Sequence, residues 1–150
     1  MKVESRLVAR CRERGVTLAT AESCTGGLVA ARITAVPGAS AVFWGGVVSY
    51  ANEVKRGLLG VPQAVLERVG AVSAECAEAM AAGARERLNA DVAVSVTGIA
   101  GPDGGTPQKP VGLVYFGLAS AGGVRSERRL FEGDREAVRQ QAAERALALL

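Results

Sequence analysis

Three strand-like runs, at 17–21, 42–50 and 91–96, are kept apart by segments whose apolar residues recur at helical spacing, and this alternation constrains the fold more than any other feature of the sequence. A strand, a helix and a second strand join through a right-handed crossover into a parallel sheet covered by helices on both faces. The run at 91–96 has the apolar character of a central strand buried on both sides. Two further strand-like segments, 111–119 and 124–131, are joined through a turn at Ala121, Gly122 and Gly123. Such a hairpin turn makes one late strand antiparallel to its neighbours. The sequence therefore predicts one domain over 1–150: a three-layer α/β/α sandwich with a mixed five-stranded sheet, mostly parallel, with one antiparallel strand near the C-terminal end.

Helices are expected over 3–14, closed by Gly15, and from the junction at 23–27 to about Val36, where Pro37 and Gly38 end it. Others are expected over 52–59, carrying Lys55, over 62–69 with Pro62 near its first position, from an N-cap at Ser73 to Leu88, and from Asp134 to Leu150. Gly45 and Gly46 inside the second strand suggest a bulge or a close backbone approach. The uncharged run 33–51 is long enough to raise the question of a membrane span, but its Pro-Gly and Gly-Gly pairs break it, and no membrane association is expected.

Composition excludes more than it assigns. There is no histidine, so a Ser-His-Asp or Cys-His triad is impossible, and a hydrolase built on this chain needs a lysine, carboxylate, tyrosine or thiolate as its base. Cys11, Cys24 and Cys76 are odd in number and far apart, which is neither a disulfide framework nor a zinc spacing. A reducing, cytoplasmic setting is expected, and residues 1–14, charged throughout, carry no export pattern. The net charge of +3 comes from 15 Arg and 3 Lys against 15 acids. The arginines are interleaved with Glu along helix faces, so no nucleic-acid surface is expected.

Residues 21–27, A-E-S-C-T-G-G, place Ser23, Cys24 and Thr25 with two glycines where a strand runs into a helix. A helix start offers unpaired N–H groups to an anion, so the junction reads as a nucleophile beside an oxyanion site in the region of Thr25, Gly26 and Gly27. It reads equally as a helix cap on Ser23 or Thr25 followed by a tight turn. In open α/β sheets ligands bind beyond the carboxyl ends of the strands. Those ends carry Ser23, Tyr50 and Thr97, with Lys55 just past the second, and Gly98 begins a Gly- and Pro-rich loop to Pro110. Taken singly, Lys55 could be a solvated helix lysine, Tyr50 a strand-end aromatic and Arg135 a surface arginine, although positive charge at a helix start is mildly unfavourable and hints at an anion to be met.

The ordered set A-E-S-C-T-G-G at 21–27, V-S-Y-x-N-x-x-K at 48–55, G-A-V-S at 70–73, T-G-I-A-G-P-D-G-G at 97–105, K-P-V-G at 109–112 and G-D-R-x-x-V-R at 133–139 resembles the CinA carboxy-terminal domain family, the nicotinamide-nucleotide amidases of the PncC type. The resemblance covers 17–150. It implies hydrolysis of nicotinamide mononucleotide to nicotinic acid mononucleotide and ammonia, without metal or other cofactor, by a homodimer. It further implies Ser23 as nucleophile, Lys55 as base and Tyr50 assisting, with Thr97 and Arg135 at substrate-contacting positions. It implies nothing about the pyrophosphatase-like activity of the larger domain that precedes this one in many relatives. A non-catalytic module binding a phosphorylated nucleotide through the glycine loops and Arg135 is the alternative, and release of ammonia separates the two.

Overall fold

The computed structural model describes all 150 residues, Met1–Leu150. Its five strands are β1 (Leu18–Glu22), β2 (Phe43–Val48), β3 (Val92–Gly98), β4 (Leu113–Ser120) and β5 (Gly123–Leu130), and they lie in the order β2-β1-β3-β4-β5. The pairs β1–β2 and β1–β3 are parallel, while β4 runs antiparallel to both β3 and β5. This is the mixed sheet expected from three crossover-linked strands and a closing hairpin. Helices α1 (Val3–Arg14), α2 (Leu28–Thr34) and α6 (Arg135–Leu149) cover one face, and α3 (Asn52–Leu59), α4 (Gln63–Arg68) and α5 (Ala74–Arg87) lie on the other.

Alternation along the strands divides two cores of different texture. Leu18, Val94, Val96, Val114 and Phe116 point towards α1, α2 and α6, where they pack with Val29, Ile33, Val138 and Leu147. Ala19, Ala21 and Ala93 point to the opposite side, against Cys76, Met80 and Ala84 of α5 and Leu59 of α3. That second face is lined by small side chains, so α5 lies close to the sheet, and the Ser95 hydroxyl donates to the carbonyl of Ala77. The first face is also tied by charge: Arg32 of α2 joins Glu4 of α1 and Glu144 of α6. Arg145 of α6 forks onto Glu127 of β5 at 2.6 Å through each nitrogen, which, with Arg129, holds the Glu127 carboxyl down at about 2.

Several element ends fall where the sequence puts them. Gly15 closes α1 at φ 66° and Gly60 closes α3 at φ 71°, both left-handed caps. Ser73 and Asp134 accept N–H bonds from Cys76 and Ala137 at the starts of α5 and α6. The register slips between Leu18 and Ala19, leaving Trp44 as the extra residue of a bulge in β2, and a side chain on Gly46 would collide with the Thr20 hydroxyl. Both suggestions made by the glycine pair therefore hold. Pro62 is the N-cap of α4 and not its first helical residue. Helix α2 begins at Leu28, directly after the 23–27 junction, with Gly27 at its N-cap position and no side chain of that residue capping it.

Gly83 tests the close α3–α5 contact. A Cβ there would collide with the Leu59 carbonyl carbon and oxygen, backbone atoms that no rotamer change can move aside. Helix propensity favours Gly83→Ala by about 1 kcal/mol, whereas overpacking costs about 1–3 kcal/mol. Denaturant unfolding should report a net loss of up to about 2 kcal/mol, and a gain in stability would show that the two helices are not pressed together.

Candidate active site

The carboxyl ends of β1, β2 and β3 open on one cavity of about 240 Å³, lined by Ser23, Tyr50, Lys55, Thr97 and Arg135 together with Cys24, Asn52 and Gly98. At its base Lys55 is 1% exposed and Ser23 8%. The Lys55 Nζ lies 3.0 Å from Ser23 Oγ, 2.8 Å from the carbonyl oxygen of Ser49 and 3.0 Å from that of Tyr50. Carbonyl oxygens only accept, so both must receive N–H bonds from the amine, whereas a serine hydroxyl can donate or accept. An ammonium satisfies all three partners by donation. A neutral amine has two N–H groups, which the carbonyls take, and its lone pair is then directed at Ser23. Both protonation states fit the same three contacts.

The surroundings shift the balance towards the neutral one. Burial lowers the pKa of Lys55 from the ordinary lysine value, and the nearby Cys76 and Cys24 thiols offset only part of that effect. No carboxylate contacts the amine. The loop that places it is short: Ser49 is held by its N–H to the Glu22 carbonyl at 2.7 Å, and α3 begins three residues later. Cys24, beside Ser23, is a poor rival nucleophile, because burial pushes its thiol up to about 11 and leaves it protonated at neutral pH.

The turn from Ser23 to Gly27 differs from the expected helix cap. Glu22, 1% exposed, turns its carboxylate back onto α2 and accepts from the N–H groups of Gly27, Val29 and Ala30 at 3.2, 2.9 and 3.0 Å. A carboxylate at this end opposes the positive pole of the helix and occupies its free donors. Neither Ser23 nor Thr25 caps the helix. The N–H of Gly26 is also committed, to the Ser23 carbonyl at 3.0 Å. Gly26 and Gly27 thus have no N–H to offer an oxyanion; of the turn, Ser23 and Cys24 line the cavity. The Thr25 side chain is fully buried with its hydroxyl unpartnered. The N–H groups of the turn without a protein acceptor are those of Cys24 and Thr25.

At the rim, Tyr50 is 61% exposed and its hydroxyl accepts from Arg135 at 3.2 Å, while Arg135 also donates to the Gly101 carbonyl at 2.8 Å. Tyr50 reaches the lysine through its backbone carbonyl, and its hydroxyl makes no hydrogen bond with Ser23 or Lys55. Thr97 donates to the carbonyl of Ala71, fixing the segment 70–73 against the cavity. Arg135 and Ala100 also line an adjoining cavity of about 500 Å³ that Arg139, Asp134 and Val111 help to form.

A family model described as the CinA C-terminal domain matches residues 1–150. The chain belongs to the CinA C-terminal domain family. It is 59% identical over 138 residues to a CinA-like protein of Citrifermentans bemidjiense, covering 92% of this chain and 33% of that protein. It is 54% identical over 147 residues to a CinA-like protein of Akkermansia muciniphila, covering 97% and 36%. The chain spans about a third of the length of these curated relatives. Among solved structures, it is similar to the competence/damage inducible protein CihA from Agrobacterium tumefaciens, with TM-score 0.95, 42% identity and coverage of 98% of this chain and 90% of that one. A CinA superfamily protein from Escherichia coli is similar at TM-score 0.94 and 38% identity, with coverage of 97% and 85%.

Within this CinA domain three contributors escape the sequence reading. Glu22 carried a signal, since an acidic residue at a strand end just before a helix suits the helix pole. Ser49 acts through its carbonyl, which no side-chain pattern reveals. Arg139 lies in the last motif but contacts the turn from more than a hundred residues away, donating to the carbonyls of Cys24 and Thr25.

Proposed function

We propose that this CinA domain is an amidohydrolase that deamidates nicotinamide mononucleotide to nicotinic acid mononucleotide and ammonia through an acyl-enzyme on Ser23. The observation that supports it most is the buried lysine whose amine, held by two carbonyls, meets the serine hydroxyl at 3.0 Å. A serine is a weak nucleophile until a base takes its proton, and a chain without histidine needs a base of this kind. The neutral Lys55 amine takes the hydroxyl proton as Ser23 Oγ bonds to the carboxamide carbon. The oxyanion so formed meets the N–H groups of Cys24 and Thr25. Lys55 returns the proton to the amide nitrogen, the C–N bond breaks and ammonia leaves. Water, deprotonated by the same amine, then releases the acid from Ser23.

The substrate assignment rests on the family resemblance together with the arginines. The 240 Å³ cavity over Ser23 suits an aromatic carboxamide, and Arg135 stands between it and the larger cavity, where a ribose phosphate extending from the ring would lie. A guanidinium matches phosphate geometry well. Arg135→Ala should therefore erode the preference for the mononucleotide over its dephosphorylated riboside. Equal losses on both would assign Arg135 to folding or to another part of the substrate.

Ammonia release on incubation with nicotinamide mononucleotide separates the enzyme from a module that only binds nucleotides. Arginine keeps the charge of Lys55 but cannot be deprotonated in a protein. Lys55→Arg should be nearly as inactive as Lys55→Ala, with turnover reduced by about 10²- to 10⁴-fold. Because the active form is deprotonated, the wild-type rate should rise with pH through the lowered lysine pKa. Substantial turnover by Lys55→Arg with an unchanged pH profile would make the lysine an electrostatic clamp and overturn the proposed mechanism.

A further inference from the structure

The Ser23–Gly27 turn has two N–H groups without an acceptor, and each belongs to a peptide plane whose oxygen end is held. A trans peptide is rigid and planar, with its C=O and N–H directed oppositely, so fixing the oxygen fixes where the N–H points. The plane between Ser23 and Cys24 is held by the Gly26 N–H, 3.0 Å from the Ser23 oxygen. The plane between Cys24 and Thr25 is held from outside the turn, by Arg139 Nε at 3.2 Å from the Cys24 oxygen. Arg139 Nη2 lies 3.1 Å from the Thr25 oxygen and so holds the third plane, whose N–H is the one that closes on Ser23. One guanidinium thus clamps the turn directly at two planes and supports the remaining one. Gly26 takes φ 61° in this turn, a conformation that favours glycine.

We infer that Arg139 is a positioning residue for catalysis, holding the Cys24 and Thr25 N–H groups as a preformed oxyanion hole through their peptide planes. This rests on the amidase reading of the same site. The guanidinium sits on the far side of the peptide from the N–H it controls, so it acts through the backbone. Its hydrogen bond also polarises the Cys24–Thr25 peptide and strengthens that N–H as a donor. The fork is needed: two successive carbonyls are met by two nitrogens of one rigid plane, which a lysine ammonium on a flexible stem does not reproduce. Helix α6 supplies Arg139 one turn after Arg135, with Val138 buried between them, and the Arg145–Glu127 pair fixes the same helix to β5. The 3.9 Å contact of Arg139 with Glu136 is too long and too exposed to compete with the carbonyls.

The test uses the full chain and compares nicotinamide mononucleotide with its thioamide, in which sulfur replaces the carbonyl oxygen and accepts hydrogen bonds poorly. Wild-type ammonia release from the oxo substrate checks the amidase reading first; if there is none, this inference falls with it. Removing a donor outright costs about 10²- to 10³-fold in turnover, so misaligning donors by Arg139→Ala should cost about 10- to 100-fold. KM and the pH-rate midpoint should stay close to wild type, and the oxo-to-thio preference should shrink. Arg139→Lys should recover only part of the loss, and it carries the test if the alanine variant does not fold. A raised KM with unchanged kcat would make Arg139 a substrate anchor. An unchanged oxo-to-thio ratio would leave it a purely structural residue. Either result overturns the inference.

Discussion

The site depends on one buried amine. Lys55 has given up its water for two backbone carbonyls and one hydroxyl, with no carboxylate to stabilise its charge. Placing an uncompensated ammonium there is costly, and the cost is relieved when the proton leaves. The two carbonyls turn that desolvation into direction, since they occupy both N–H groups of the neutral amine and leave its lone pair for Ser23. Basicity and aim thus have the same origin, the short 49–55 segment that carries β2 into α3 over the end of β1.

The nucleophile turn complements this arrangement. A helix start directly after a strand would ordinarily present its amides to any anion, but Glu22 occupies those of α2. Two N–H groups closer to Ser23 are left over, held in place by Gly26 from within the turn and by Arg139 from α6. The small-residue face of the sheet lets α5 and α3 approach closely, and α3 is the helix that delivers Lys55. Fold and site are joined at that contact.

Much of this was legible in the sequence because it is encoded locally. The bounds of α1 and α3 follow from periodicity ending in Gly15 and Gly60, and the mixed, mostly parallel sheet follows from the crossovers and one hairpin. The meeting of Ser23, Tyr50, Thr97 and Lys55 follows from their shared place at strand ends. The letters of the turn were ambiguous, since a serine before two glycines caps a helix as readily as it attacks a carbonyl. Only the Glu22 contacts show that the cap is supplied from the preceding residue, which narrows and shifts the available amides from Thr25, Gly26 and Gly27 to Cys24 and Thr25. Arg139 was illegible for a different reason: its partners are backbone oxygens brought near by tertiary packing.

The protonation state of Lys55 is directly measurable, because the chain has only three lysines, Lys2, Lys55 and Lys109. In protein labelled with ¹³C at lysine Cε, three resonances report three titrations, and Lys55→Arg identifies the one of interest. Lys55 should titrate clearly below the ordinary lysine value of about 10.4. A Lys55 resonance that titrates at that ordinary value, or at higher pH, would mean that the amine at the base of the cavity is an ammonium and cannot be the base that activates Ser23.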